Sequence, residues 1–97
     1  MFQTGKLIKI LKSIYVILYF EFEEKRRKAD VKWPKDDEPV VVQLTDKELS
    51  KSLPSDLYYE IDPKNKVIFT IENPDNKRLL ALQKTIAKRL QEFANQL

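Results

Sequence analysis

The clearest pattern in the chain is a stripe of apolar residues near its C-terminal end, where they recur at steps of three and four. This spacing places their side chains along one side of an α-helix. Asn73 is a favourable N-cap residue, Pro74 suits the first helical position, and Asp75 complements the positive end of the helix dipole. We therefore predict an amphipathic helix that begins after Asn73, with an apolar stripe of Leu79, Leu82, Ile86, Leu90, Phe93 and Leu97.

Two runs of β-forming residues, 57–61 and 67–71, precede this helix and predict a β-hairpin. Asp62 and Pro63 fit the first two positions of a type I turn, and Asn65 can adopt the left-handed conformation that completes such a loop. Because side chains alternate along a strand, we expect one apolar face on this hairpin, which packs on the helix. That face would contain Leu57, Tyr59, Ile61, Val67, Phe69 and Ile71.

A further strand and a short helix are predicted before the hairpin. Residues 40–44 are mostly β-branched, which favours a strand. Thr45 and Glu48 have the spacing of a capping box, in which each side chain accepts a hydrogen bond from the other residue's backbone amide. We expect a short helix that ends by Leu53, because Pro54 cannot continue it.

The N-terminal third of the chain fits two periodicities. Apolar residues over 5–28 fit a helical stripe, whereas residues 14–23 are rich in aromatic and β-branched side chains and alternate towards their end. We predict a strand over 14–23 behind a short helical turn, and a single helix over 5–28 stays open as the alternative. The polar stretch 25–38 is predicted to be a mobile loop.

Together these elements predict one α+β domain over residues 1–97. We expect a small antiparallel sheet of three to four strands that packs against the long C-terminal helix, with the short helix between strands. A stretch of 97 residues has the size of one ordinary domain, so we expect no second domain within it.

The composition removes most classes of catalytic and cofactor site. The chain has no cysteine and no histidine, so disulfide bonds, zinc sites, iron–sulfur clusters and catalysis by thiol or imidazole are excluded. Gly5 is its single glycine, whereas nucleotide-binding loops need several. The adjacent acids Asp36, Asp37 and Glu38 lack the alternate spacing of a calcium loop. We expect no enzyme activity, no cofactor, no metal and no small-molecule substrate.

A membrane location is disfavoured by the N-terminal sequence. Three lysines in the first 12 residues precede an apolar run over 14–20, as in a signal peptide. No small-residue cleavage site follows, and Glu21 closes the run, whereas a membrane-spanning helix needs about 20 apolar residues. We expect a cytoplasmic protein that does not dock on a membrane surface.

The charged residues support one alternative function, the binding of nucleic acid. The chain has 18 Lys and Arg against 15 Asp and Glu, a net charge of +3. Residues 25–28 form its densest basic run, and cations of this kind pair with phosphates while a nearby aromatic ring can stack on a base. The candidate set consists of Lys25, Arg26, Arg27, Lys28, Lys32, Trp33, Arg78, Lys84 and Arg89, the last three on the predicted C-terminal helix.

The leading hypothesis is a non-catalytic interaction module, an accessory or regulatory subunit that binds a protein partner or a second copy of itself. A sheet of three or four strands has edges whose backbone groups lack partners, and a small domain often buries such an edge against another chain. The predicted apolar helix could also present a surface to a partner. Protein binding, including formation of a homodimer, is therefore the favoured hypothesis, and nucleic-acid binding is the alternative.

Overall fold

The computed structural model describes residues 14–34 and 38–96. Its elements are β1 (Ile14–Phe22), β2 (Lys25–Trp33), β3 (Val40–Leu44), α1 (Lys47–Ser50), β4 (Asp56–Ile61), β5 (Val67–Ile68) and α2 (Lys77–Asn95). The strands form one sheet in the order β1-β2-β3-β4-β5, in which every neighbouring pair is antiparallel. The predicted α+β class is confirmed.

β2 corrects two of the predictions. Residues 25–33 form a strand and not part of a mobile loop, and this strand raises the number from the predicted three or four to five. Its side chains alternate between the core and solvent, with Arg27, Ala29, Val31 and Trp33 buried. The alternation is hidden in the sequence because a charged residue, Arg27, occupies one of the buried positions. Residues 35–37 of the predicted loop lie outside the described residues.

β1 confirms the predicted N-terminal strand, and the alternative of a single helix over 5–28 is wrong for residues 14–28. The chain reverses at Glu23 and Glu24, whose φ angles are 56° and 64°. Two successive positive φ angles are typical of a type I′ turn, whose twist suits a two-residue hairpin loop. The predicted helical turn ahead of β1 lies outside the described residues.

The β4–β5 hairpin is confirmed, including its turn. Asn65 has the predicted left-handed conformation, with φ of 67°, and the Asp62 carboxylate accepts backbone hydrogen bonds within the loop. The second strand is shorter than predicted and consists of Val67–Ile68. Ile71, which the alternation places on the inward face, is exposed because it lies beyond the paired residues.

α1 is shorter than predicted and has a different cap. Asp46 is the N-cap residue, and its side chain accepts a hydrogen bond from the Leu49 amide at 3.1 Å. The Thr45 hydroxyl instead lies 3.4 Å from a carbonyl oxygen of β2. Aspartate caps a helix at least as well as threonine does, which explains the shift by one residue. The helix covers Lys47–Ser50 and does not reach Leu53.

α2 begins later than predicted, at Lys77. Asn76 is its N-cap residue and accepts a hydrogen bond from the Leu79 amide at 3.0 Å. Asn73 forms a separate turn, in which its side chain accepts from the Asp75 amide at 3.2 Å. No helix within residues 14–34 and 38–96 is long and apolar enough to cross a membrane. Of the predicted stripe, Leu79, Leu82, Ile86 and Leu90 are buried, Phe93 is partly buried, and Leu97 lies outside the described residues.

α2 packs on one face of the sheet, the inner face, and contacts both edge strands, β1 and β5. The Tyr59 hydroxyl donates to the Gln83 carbonyl oxygen at 2.9 Å, which ties the middle of the sheet to the helix. The Trp33 ring packs edge-on against Phe93 with 5.1 Å between ring centroids. Because α2 covers the inner face, the exposed residues that alternate with the buried ones along β1 and β2 lie on the opposite, outer face.

Candidate interaction surface at the β1 edge

β1 lies at one edge of the sheet, and its outer face is apolar. Tyr15, Ile17 and Tyr19 alternate along this face and are 72%, 54% and 43% exposed. No charge interrupts the strand before Glu21. Large exposed apolar side chains on an edge strand are typical of a surface that another chain covers.

The backbone of β1 offers hydrogen-bonding groups at the same positions. A two-residue hairpin loop of this type closes with a hydrogen-bonded pair, here Phe22 and Lys25. Hydrogen-bonded and non-hydrogen-bonded pairs then alternate along an antiparallel ladder. The residues whose N–H and C=O groups point away from β2 are therefore Tyr15, Ile17, Tyr19 and Glu21.

α2 covers part of this edge through one arginine. The Arg89 Nε donates to the Tyr19 carbonyl oxygen at 2.8 Å, and its guanidinium also pairs with Glu92. Within residues 14–34 and 38–96, no side chain hydrogen-bonds to the outward backbone groups of Tyr15 or Ile17. We refer to residues 14–18 as the open half of β1.

The opposite edge, at β5, is closed by the same helix. The Val67 amide donates to the Gln91 side chain at 2.8 Å, and the Gln83 side chain donates to the Thr70 carbonyl oxygen at 3.2 Å. β5 has only two residues, and Gln91 occupies the amide of one of them, whereas Thr70 lies just beyond the strand. The two edges therefore differ, because α2 closes the β5 edge and leaves half of the β1 edge open.

Basic side chains of β2 lie beside the tyrosines of β1 on the outer face. Lys32 is directly opposite Tyr15, and Lys28 is directly opposite Tyr19. The Arg26 guanidinium lies over the Tyr19 ring, 4.9 Å from its centroid. This part of the outer face combines aromatic rings with cations, and its acidic residues are Glu21 and Asp30.

The residues predicted to bind nucleic acid are divided between the two faces of β2. Arg26, Lys28 and Lys32 lie together on the outer face. Trp33 is 5% exposed and faces the core, so its ring is not available for stacking on a base in this structure. Arg27 is also buried. The basic run 25–28 is therefore not one continuous surface, since alternate residues of a strand point in opposite directions.

Three of the remaining candidates take part in ion pairs or bind the backbone. Lys25 Nζ lies 3.2 Å from a Glu48 oxygen, and Arg78 Nε lies 2.6 Å from a Glu23 oxygen. Arg89 binds the edge of β1, as described above. Lys84 is exposed on α2, and no described carboxylate pairs with it. Of the predicted set, the three outer-face residues of β2 lie beside the exposed tyrosine rings of β1.

Arg27 is the centre of a buried ion cluster at the β1–β2 hairpin. Its side chain is 3% exposed, and its guanidinium lies 3.2 Å from Asp46, 2.5 Å from Glu48 and 3.3 Å from Glu23. Its Nε also donates to the Phe22 carbonyl oxygen at 3.2 Å. A buried cation needs such partners to offset the loss of water. These contacts connect the β1–β2 hairpin to α1.

The cluster keeps its carboxylates ionised. Burial acts to raise the pKa of Asp46, but a backbone amide and the Arg27 guanidinium outweigh it and hold the pKa below its usual value. A hydrogen bond from Arg27 lowers the pKa of Glu48. A hydrogen bond from Arg78 lowers the pKa of Glu23. The charges of these two arginines are therefore balanced within the protein.

An open groove of about 510 Å³ lies between β1 and α2. Its charged lining is mixed, with the basic residues Arg26, Lys88 and Arg89 and the acidic residues Glu21 and Glu92. Small-molecule sites are usually enclosed and mostly apolar, with a few polar groups that converge on the ligand. The groove does not have this form.

The described residues hold no cluster of three or more side chains that could bind a metal ion. Asp36 and Asp37, two of the three adjacent acids noted in the sequence, lie outside the described residues.

The apolar outer face of β1 is the feature that the sequence pattern did not single out. The sequence does contain a signal for it, because residues 14–20 are apolar at every position. A strand of this kind exposes apolar side chains whenever its other face packs on the core.

Comparisons of the chain with protein-family models, with curated proteins and with solved structures found no match. The function is therefore inferred from the geometry of this surface.

Proposed function

We propose that the protein is a non-catalytic interaction module that binds an extended strand of another polypeptide chain along the open half of β1. In this mode of recognition, main-chain hydrogen bonds to a sheet edge supply affinity and alternate side chains supply specificity. One observation carries the proposal: the outward backbone groups and the exposed apolar side chains belong to the same two residues, Tyr15 and Ile17.

The lack of edge protection in β1 supports the proposal. Proteins usually guard an edge strand with charges, a proline, a bulge or a very short length. β1 has nine residues, pairs with β2 without a break and contains no proline, and its single charge is Glu21. β5, by contrast, is two residues long and is covered by side chains of α2. Within the part of the chain that the structure describes, the sheet is thus open at one edge only, which favours a partner at that edge.

A matched pair of lysine substitutions tests the proposal. Ile17→Lys places a charge in the open half of β1, whereas Ile68→Lys places the same charge on β5, and the two residues are 54% and 46% exposed. Size-exclusion chromatography with light scattering and absorbance at 260 and 280 nm reports both mass and bound nucleic acid. We expect the unmodified protein from its native cells to elute as a complex that contains protein but no nucleic acid. The Ile17→Lys variant should elute as the monomer, and the Ile68→Lys variant should still form the complex.

The amides of the open half provide the refuting observation. Pairing with a partner strand should protect the Tyr15 and Ile17 amides from exchange with deuterium. A strictly monomeric protein in which both amides exchange as fast as unpaired ones would show that the edge is not a binding surface.

Nucleic-acid binding is the second candidate, and the neighbouring tyrosines and lysines of β1 and β2 favour it. Lys32 lies next to the Tyr15 ring and Lys28 lies next to the Tyr19 ring, so each lysine could contact a phosphate while the neighbouring ring stacks on a base. It ranks second because Asp30 lies between the two lysines on the same face, where its carboxylate would repel phosphate.

Double alanine variants separate this candidate from the first. Lys28→Ala with Lys32→Ala removes the two outer-face lysines of β2, and Lys84→Ala with Lys88→Ala is the control on α2. Binding is measured by the fluorescence anisotropy of a labelled single-stranded oligonucleotide at about 50 mM salt. Affinity should fall only for the Lys28 and Lys32 variant, and the affinity of that variant should also depend less steeply on salt concentration. No binding by the unmodified protein, or equal binding by both variants, would exclude this candidate.

A further inference from the structure

We infer that the strand bound by the open half of β1 is the same strand of a second copy of this chain. This inference rests on the proposed function and names the partner. The two strands run antiparallel about a two-fold axis beside Val16, so that each copy presents the same residues to the other. The two sheets then form one continuous sheet.

The free backbone groups select this register. Tyr15 and Ile17 carry outward groups that no described residue uses, whereas the Tyr19 carbonyl oxygen is already bound by Arg89. Pairing Tyr15 with Ile17 of the second copy uses these groups in both copies and leaves the Arg89 contact in place. Because hydrogen-bonded pairs alternate with non-hydrogen-bonded pairs, Val16 then lies opposite Val16 of the second copy in a non-hydrogen-bonded pair.

The side chains of the open half complement themselves in this register. On the outer face, the Tyr15 ring of each copy meets the Ile17 side chain of the other, once on each side of the axis. Pairs of an aromatic and a β-branched residue stabilise antiparallel strands. Both side chains are more than half exposed in the single chain and would lose contact with water together.

The charge of β1 also fits pairing with itself. Like charges destabilise a two-fold strand pair when they lie directly opposite one another. Glu21, the only charged residue of β1, is outside the paired segment, so this repulsion does not arise. A partner strand with charges opposite Tyr15 and Ile17 would bury them against apolar side chains at a cost. An apolar strand such as β1 itself is the better match.

Cysteine cross-linking tests the position of the axis, because the chain has no cysteine of its own. The Cα atoms of a non-hydrogen-bonded pair are about 4.5 Å apart, within the range that a disulfide spans. Val16→Cys should therefore give a disulfide-linked dimer under mild oxidation, at least tenfold faster than the control Ile68→Cys on β5. Light scattering of the unmodified protein should show twice the chain mass of 11.5 kDa.

The outcomes distinguish this inference from the proposed function. The inference is wrong if Val16→Cys cross-links no faster than the control Ile68→Cys. It is also wrong if Ile17→Cys cross-links faster than Val16→Cys, because the two-fold axis would then lie beside residue 17. A complex that Ile17→Lys disrupts but that contains a different protein would also overturn it, while the proposed function would stand. A monomer at all concentrations with no partner strand would overturn both.

Discussion

Replacement of Arg27 by methionine tests whether the buried ion cluster holds the β1–β2 hairpin against α1. Methionine keeps an unbranched apolar stem and removes the guanidinium, which contacts three carboxylates and the Phe22 carbonyl oxygen while its side chain is 3% exposed. Removing one partner of a buried ion pair typically costs about 3–5 kcal/mol. Because Glu23 and Glu48 are partly exposed and can regain water, we expect a loss near the lower value, about 3 kcal/mol of the free energy of unfolding.

Thermal and urea denaturation measure this loss, and its pH dependence tests the cause. For a domain of this size, a loss of about 3 kcal/mol lowers the Tm by about 12–24 °C. The pKa values of Asp46, Glu48 and Glu23 are lowered in the folded protein. Their contribution to stability is therefore present above the unfolded pKa, near 4, and is lost as pH falls through the folded pKa. Arg27→Met should accordingly lose less stability than the unmodified protein between about pH 5 and about pH 2.

Arg26→Met is the matched control, since the two arginines are adjacent in β2 and differ in burial. The Arg26 guanidinium lies over the Tyr19 ring on the outer face, and an exposed cation–π contact contributes only about 0.5–1 kcal/mol. If Arg27→Met costs no more than Arg26→Met, or if its acid sensitivity equals that of the unmodified protein, the cluster does not hold the hairpin.

Two further substitutions test single contacts by the same denaturation measurements. Glu24→Gly should raise the free energy of unfolding by about 1 kcal/mol, because the φ of 64° is unfavourable for a residue with a Cβ atom and suits glycine. A loss of stability in this variant would show that the turn does not strain Glu24. Tyr59→Phe should lower it by about 1 kcal/mol, because it removes the buried hydrogen bond to the Gln83 carbonyl oxygen. Tyr58→Phe, on the exposed face of the same strand, should change the free energy of unfolding little. Equal losses in the two tyrosine variants would show that the hydrogen bond of Tyr59 does not stabilise the fold.

The elements that depend on neighbouring residues could be predicted from the sequence. The apolar stripe of α2 and the turn at Asp62 each arise from residues a few positions apart, so their spacing is enough to identify them. The start of α2 was harder to predict, because Asn73 and Asn76 are both suitable caps. Asn73 forms its own turn with Asp75, which leaves the cap to Asn76.

β2 could not be predicted in the same way, because a charged residue occupies an inward position of the strand. Lys25, Arg27 and Ala29 are alternate residues of β2 on the side of the strand that faces the core. A strand pattern predicts an apolar side chain at position 27, but the residue there is an arginine. Its partners Asp46 and Glu48 are 19 and 21 positions away, so the sequence does not reveal that its charge is balanced. Four consecutive basic residues are therefore typical of a solvated loop until the register of the strands is known.

The open half of β1 depends on contacts between distant parts of the chain, and the polar residues of α2 determine where it lies. Gln83 and Gln91 are two steps of four apart, which places them on the same side of the helix, and both reach the β5 side of the sheet. Arg89 reaches the other side and binds β1 at Tyr19. The same helix thus closes one edge and covers the other only as far as Tyr19. In the proposed mode of binding, Arg89 therefore limits the length of strand that the β1 edge can accept to residues 14–18.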